Sequence, residues 1–308
     1  MDMGSLLFVQ LLNGIQYGVM LFLMAAGLTL VFGIMNLINL AHGSLYMIGA
    51  YVFAWSLAST GSVALSVLAA LAAAFVIGVL IELVIFRTLS ERDHLDQVLA
   101  TFGLILLFNE GCRMIWGRSA LSVNLPAYLA GQTRILPDLS YPTYRLTIIV
   151  AGLLVALLLH FVITRTKLGM LIRAGASNRT MVNALGVNIK WLYTMVFGLG
   201  AVLAALAGLM AGPIFSVESG MGDNFLILVL VAIVIGGIGS IKGALIASLG
   251  IGVVDTLGRS LLKPALGSLV SDSAANSAGP AIASMLIYLL MAAILFARPQ
   301  GLFPPRTR

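Results

Sequence analysis

The sequence has little charge to show to water and almost no cysteine to cross-link. Charged residues make up 9% of it, against about 25% in an ordinary soluble domain, so a water-soluble fold would lack its polar coat. Cys112 is the single cysteine, which excludes an internal disulfide, and the three histidines do not gather with cysteine or acidic residues at metal-ligand spacing. No metal site is therefore expected. The Gly-x-x-x-x-Gly-Lys-Ser/Thr phosphate loop is missing, so no nucleotide site of that kind is expected either. His42 with Ser44, or with Asp255, shares no nucleophile and base spacing, which argues against an enzyme. Met1-Asp2-Met3-Gly4-Ser5 lacks the positive region of a signal peptide, and the apolar stretch behind it is too long for a cleaved one. It is expected to stay as a helix.

What is abundant is apolar. Hydrophobic residues make up 60% of the chain and the mean hydropathy is +1.08. A membrane-spanning helix needs about 20 consecutive, mainly apolar residues. Apolar runs lie near Leu6 to Ile34, Leu37 to Leu57, Val63 to Phe86, Val98 to Trp116, Leu146 to Ile163, Trp191 to Phe215, Phe225 to Ile238, Ala244 to Leu262 and Ala281 to Ala297. This pattern predicts an all-α, polytopic integral-membrane bundle of eight or nine crossings, with residues 1–308 forming one transmembrane domain surrounded by lipid.

The net charge of +6 comes from basic residues scattered singly between hydrophobic runs, which fits membrane orientation and not a nucleic-acid surface. Placing the C-terminus in the cytoplasm puts Arg87, Arg92, Arg165, Lys167, Arg173, Arg179, Lys190, Lys242, Arg298, Arg306 and Arg308 inside. Arg113, Arg118, Arg134, Arg145, Arg259 and Lys263 then lie outside, and eleven against six follows the positive-inside bias. Nine crossings put the N-terminus outside and eight put it inside. Charged pairs near the spans read as structural: Asp255 with Arg259 four residues on, Glu110 with Arg113, and Glu82 with Arg87.

Two loops stand out. Residues 117–144, with Asn124, Pro126, Pro137 and Pro142, form a polar outer loop suited to short helices or a partner contact. Residues 164–190 form the longest and most basic cytoplasmic loop. Within it, Arg173 to Gly186 reads as a short helix capped by Ser177 or Asn178 and closed by Gly186. Met181, Val182, Ala184 and Leu185 give that helix an apolar stripe for a partner, or for the membrane surface.

Polar and glycine-rich interruptions mark two further places. Asn36-Leu37-Ile38-Asn39-Leu40-Ala41-His42-Gly43-Ser44 falls within the second run, and Gly236-Gly237-Ile238-Gly239-Ser240 ends the seventh. Backbone freed by such breaks must face protein or a water-filled path. Matching Gly-interrupted segments in two halves point to an internal repeat in transporters. Asn39, His42, Gly43, Ser44, Gly236, Gly237, Gly239 and Ser240 are thus candidates for a translocation path. A helix cap or interhelical hydrogen bond is the other reading for Asn39 and His42. Gly198, Gly200, Gly208 and Gly212 read as packing positions.

Asn39 to Tyr51, Leu99 to Leu104, Arg173 to Val187, Ala204 to Gly208, Gly236 to Ser240 and Pro299 to Phe303 occur in an order that resembles the permeases of the bacterial high-affinity branched-chain amino-acid ABC importers. The resemblance covers nearly the whole chain. It implies an inner-membrane importer in which this chain pairs with a second, homologous permease as a heterodimer. Two cytoplasmic ATP-binding subunits would hold ATP and Mg, leaving no cofactor in this chain, and a periplasmic binding protein would deliver substrate. It also implies that Ala176, Ser177, Asn178, Arg179, Met181, Val182, Ala184, Leu185 and Gly186 couple to an ATPase, although Ser177-Asn178 replaces the acidic pair often found there. Branched-chain amino acids are the expected cargo, with other amino acids, urea, amides and aromatic acids as relatives of it. An ion-coupled carrier is the competing class. No pair of acidic residues with a third ionisable partner lies mid-span, as a proton relay would need.

Overall fold

The computed structural model describes residues 3–35, 37, 39–89, 92–136, 139–267 and 272–303. In chain order these form α1 (Met3–Met35), α2 (His42–Thr60) and α3 (Val63–Ile81), the last running through a π turn (Glu82–Phe86) into α4 (Arg87–Leu89). Then come α5 (His94–Trp116), α6 (Ala127–Ala130), β1 (Gln132–Leu136), β2 (Leu139–Pro142), α7 (Thr143–Arg165), α8 (Lys167–Ser177) and α9 (Arg179–Ala184). The remainder is α10 (Ile189–Phe215), α11 (Met221–Gly236), α12 (Ile241–Gly267) and α13 (Asp272–Ala297). Met1, Asp2, Asn36, Ile38, Pro137, Arg306 and Arg308, used in the sequence reading, lie outside the described residues, as does the side chain of Lys263.

Every apolar run of the sequence coincides with the body of a helix. Among the described residues, six helical stretches are long and apolar enough to cross a membrane: Met3–Met35, Val63–Leu89, His94–Trp116, Thr143–Arg165, Ile189–Phe215 and Ile241–Leu262. Met221–Gly236 and Ala281–Ala297 are apolar but shorter. The chain is a multi-pass membrane protein.

Within lipid, apolar burial does not distinguish a neighbouring helix from an acyl chain, so close packing depends on small residues. The centre of the bundle follows this rule. An added Cβ on Gly14 would lie 2.7 Å from the Val253 Cα, and one on Gly18 would lie 2.7 Å from the Leu249 Cα, so α1 and α12 meet backbone to backbone. On α10, Gly200 faces Gly27, Gly208 faces the Tyr46 carbonyl and Gly198 faces the Phe75 ring. Gly212 sits against Val217, so all four glycines expected to serve packing do so. The result is a sealed centre of α1, α2 and α10. α3, α5 and α7 lie outside it, with Leu68, Leu107, Leu154 and Leu157 turned outward and exposed.

Two expectations need correction. The fold is not wholly helical, because the loop at residues 117–144 contains an antiparallel hairpin in which Thr133 pairs with Tyr141 and Arg134 with Ser140. Alternation explains it: Leu139 and Tyr141 are buried while Ser140 and Pro142 are exposed, a period of two that no helix presents. The hairpin is tied to α1 through Asn13, whose Oδ1 accepts from the Tyr141 hydroxyl at 2.9 Å and from Arg145 at 2.6 Å. Burial raises the Tyr141 pKa above its usual value despite the nearby Arg145 guanidinium, so the phenol stays a donor. The second correction concerns the Asn39 to Ser44 break. It does not interrupt a helix but straddles the start of one: Asn39 to Ala41 lead into α2, and His42 to Ser44 form its first turn.

Candidate translocation and coupling elements

The link from α1 to α2 folds back into the bundle. His42 Nε2 lies 2.9 Å from where a Cβ on Gly27 would sit. Gly27 is eight residues before Met35, the last residue of α1 (35 − 27 = 8), or about 12 Å along the axis at 1.5 Å per residue. The chain therefore leaves α1, turns through Leu40 and Ala41, and starts α2 some two turns back along it. Asn39, His42 and Ser44 are each 1% exposed. The amide atoms of Asn39 and the Ser44 hydroxyl have no partner. The His42 ring addresses the Met24 carbonyl at a geometry short of a full hydrogen bond. Such groups are expensive in a membrane interior and mark functional or hydrated sites.

What this link faces is the junction between α10 and α11. Gly43 packs directly on Gly222, Tyr46 stacks on Phe225 at 4.8 Å, and the Gly220 amide points to the Met47 sulfur at 3.3 Å. In the 216–220 turn Ser216 and Glu218 are exposed, while Val217 is buried and pairs with Leu121, and the Ser219 hydroxyl donates to the Asn109 carbonyl at 3.0 Å. Asn109 Nδ2 in turn donates to Asp223 Oδ2 at 3.3 Å. Sequence reasoning missed this turn. Its only local signal is the polar Ser216-Val217-Glu218-Ser219-Gly220 between two apolar runs.

Gly236 to Ser240 serves a different junction. Gly237 and Gly239 adopt φ of 101° and 86°, which lets α11 turn sharply into α12, and Gly236 packs on Gly243. Ser240 caps α12 by accepting from the Gly243 amide at 3.1 Å. The chain beyond α13 closes over this turn: the Leu302 and Phe303 amides donate to the carbonyls of Ile235 (2.8 Å) and Gly236 (3.0 Å). Lys242 stands over the Phe303 ring at 5.6 Å. The two sequence breaks are thus not neighbours; the one at Asn39 to Ser44 meets residues 220–223, and the one at Gly236 to Ser240 meets 301–303.

In the 164–190 loop, Asn178 is the cap, accepting from the Met181 amide at 2.9 Å, and Gly186 takes the left-handed conformation at φ 83°. Ser177 closes α8 instead. The expected apolar stripe is split. Met181 (59% exposed) and Leu185 (75%) face outward with Ala184, whereas Val182 is 6% exposed and packs inward. Ala176, Ser177 and Asn178 are exposed and Arg179 is half-buried. Asn188 then caps α10, accepting from the Trp191 amide at 3.1 Å. All three expected ion pairs form: Arg113 with Glu110 at 2.6 Å, Arg259 with Asp255 at 2.9 Å and Arg87 with Glu82 at 3.6 Å.

Residues 10–295 match the family model described as branched-chain amino acid transport system / permease component. The chain is 33% identical over 261 residues to the high-affinity branched-chain amino acid transport system permease protein BraD of Pseudomonas aeruginosa, covering 81% of this chain and 85% of the relative. It is 29% identical over 305 residues to the permease protein LivH of the corresponding system of Salmonella typhimurium, covering 94% and 96%. A probable branched-chain amino acid transport permease protein LivH of Methanocaldococcus jannaschii is 27% identical over 282 residues, covering 87% and 85%. No solved structure matches the chain significantly.

Proposed function

The chain belongs to the family of branched-chain amino acid transport system permease components, and from that premise we propose that it is the transmembrane permease subunit of an ATP-binding-cassette importer. It carries branched-chain amino acids or related small polar solutes inward across the bacterial inner membrane, in eight or nine crossings with a cytoplasmic C-terminus. Separate subunits hydrolyse the ATP, a second homologous permease completes the path, and a periplasmic binding protein delivers the solute. The observation that carries this reading is the family match over residues 10–295. Two local features support it. The short helix α9 presents Met181, Ala184 and Leu185 outward on a basic loop, a knob suited to a groove on an ATPase. The inward link at Asn39 to Ser44 leaves polar groups unpaired inside the bundle, where helix movements that open the path can pair or hydrate them.

The mechanism is contact-driven. ATP closes the two ATPases, α9 moves with the groove that holds it, and the helix pairs rock so that the path opens to one side at a time. Affinity resides in the binding protein, and the path holds solute weakly. Affinity purification tests the composition: the tagged chain is expected to retain a second permease and an ATP-binding subunit, and the complex to hydrolyse ATP faster when the solute-loaded binding protein is added. A chain that purifies as a transport-competent monomer contradicts it.

A further inference from the structure

The cytoplasmic end of α3 departs from α-helical geometry at one place, and the departure serves a buried carboxylate. Glu82 is 1% exposed and opens the π turn Glu82–Phe86, in which the Arg87 amide bonds back to the Glu82 carbonyl five residues earlier. In a regular α-helix residues five apart point about 140° away from each other; the wider π turn brings Arg87 round to Glu82, with Nη2 3.6 Å from Oε2. The carboxylate reaches across to α10, where the Thr194 hydroxyl donates to Oε2 at 2.6 Å. Arg87 Nη2 lies 3.3 Å from the same hydroxyl oxygen and donates to it. Phe86, from the same turn, is fully buried and packs on Phe197 of α10 at 5.0 Å. Further along the chain, Gln97 of α5 donates to the Leu89 and Arg92 carbonyls at 3.2 and 3.1 Å, so the end of α4 is fixed to α5 as well.

We propose that Glu82, Thr194 and Arg87 form a mechanical clamp that passes movement of α9 through the first turns of α10 into α3. Glu82 is a positioning residue in this scheme and does not touch solute. Resting on the importer reading, the inference adds where the displacement goes after α9. α10 begins at Ile189, capped by Asn188, directly after the Gly186 turn, and Thr194 sits in its second turn, so α9 and the clamp are joined by one short rigid stretch. A charge buried away from water persists only where its partners are fixed. The triad therefore resists sliding between α3 and α10 in a way that the apolar contacts around it do not.

The test uses the assembled complex in liposomes, with Glu82→Gln, Thr194→Val, the double variant and Thr194→Ser. Solute imported per ATP hydrolysed is expected to fall about tenfold in each single variant, the scale of one charge-assisted hydrogen bond. The double variant falls no further, since both substitutions break one link. Thr194→Ser, which keeps the hydroxyl, retains the wild-type ratio, an outcome that a volume defect at Thr194 would not give. If Glu82→Gln fails to assemble, Thr194→Val decides, because it leaves the Glu82 and Arg87 pair in place. An unchanged ratio in the variants of an ATP-dependent wild type overturns the clamp alone. Import that needs no ATP overturns the importer reading and the clamp with it.

Discussion

An added methyl at Gly18 would lie 2.7 Å from the Leu249 backbone, whereas one at Gly33 would meet nothing within 4 Å. Both glycines belong to α1, so helix propensity is the same for each and contact decides the sign. Gly33→Ala is expected to stabilise the complex by about 0.5–1 kcal/mol through the lost backbone entropy of glycine. Gly18→Ala is expected to cost about 1–3 kcal/mol by forcing α1 from α12. Thermal unfolding of the purified complex checks the pair, and equal shifts for both would contradict the packing described. The sequence shows that glycines crowd the apolar runs, and small residues in such runs imply close helices. It does not show that Gly18 meets Leu249, because that pairing depends on the antiparallel register of α1 and α12, more than two hundred residues apart.

At the scale of elements, what was legible is local. The cap at Asn178 and the left-handed Gly186 follow from a few adjacent residues, and both stand where the pattern put them. The split of the α9 stripe was not legible, because a six-residue helix has room for an inward and an outward apolar face and only tertiary packing assigns them. That split makes the outcome of substitution residue-specific. Ala184→Arg and Leu185→Glu are expected to leave assembly of the membrane subunits intact and abolish ATPase stimulation by the loaded binding protein, since a charge enters a protein groove without a partner. Val182→Glu, buried within this chain, is expected to lower the yield of folded protein instead. Stimulation assays paired with size-exclusion profiles separate the cases; normal stimulation in both exposed variants would move coupling to another loop. The hairpin at Gln132–Leu136 and Leu139–Pro142 was missed for a related reason. Two short strands carry little apolar signal beside helical runs of twenty residues.

For the whole molecule, hydropathy located every long helix, while the turn at Leu40 and Ala41 and the one at residues 216–220 escaped it. Both are short, and their placement is set by contacts far along the chain, such as His42 with Gly27 and Val217 with Leu121. Orientation rests on the distribution of basic residues and is open to a direct check. Lys167, on the 164–190 loop, is exposed, Tyr128, on the 117–144 loop, is 68% exposed, and Cys112 is buried at 4%. In a Cys112→Ser background, Lys167→Cys is expected to react with an impermeant maleimide only in inside-out vesicles, and Tyr128→Cys only in intact spheroplasts. Labelling of both from one side would reverse or break the topology.

On the proposed function the chain passes solute with energy that it does not itself release, and uptake with ATP and ion gradients varied separately tests this most directly. Proteoliposomes holding the complete complex, supplied with solute-loaded binding protein on the periplasmic side, are to be compared with ATP on the cytoplasmic side and no gradient, and with a maintained ion gradient and no ATP. Leucine is expected to accumulate in the first condition and not in the second, with a non-hydrolysable ATP analogue giving no accumulation. Accumulation driven by the gradient after ATP is exhausted would contradict the importer reading and identify an ion-coupled carrier.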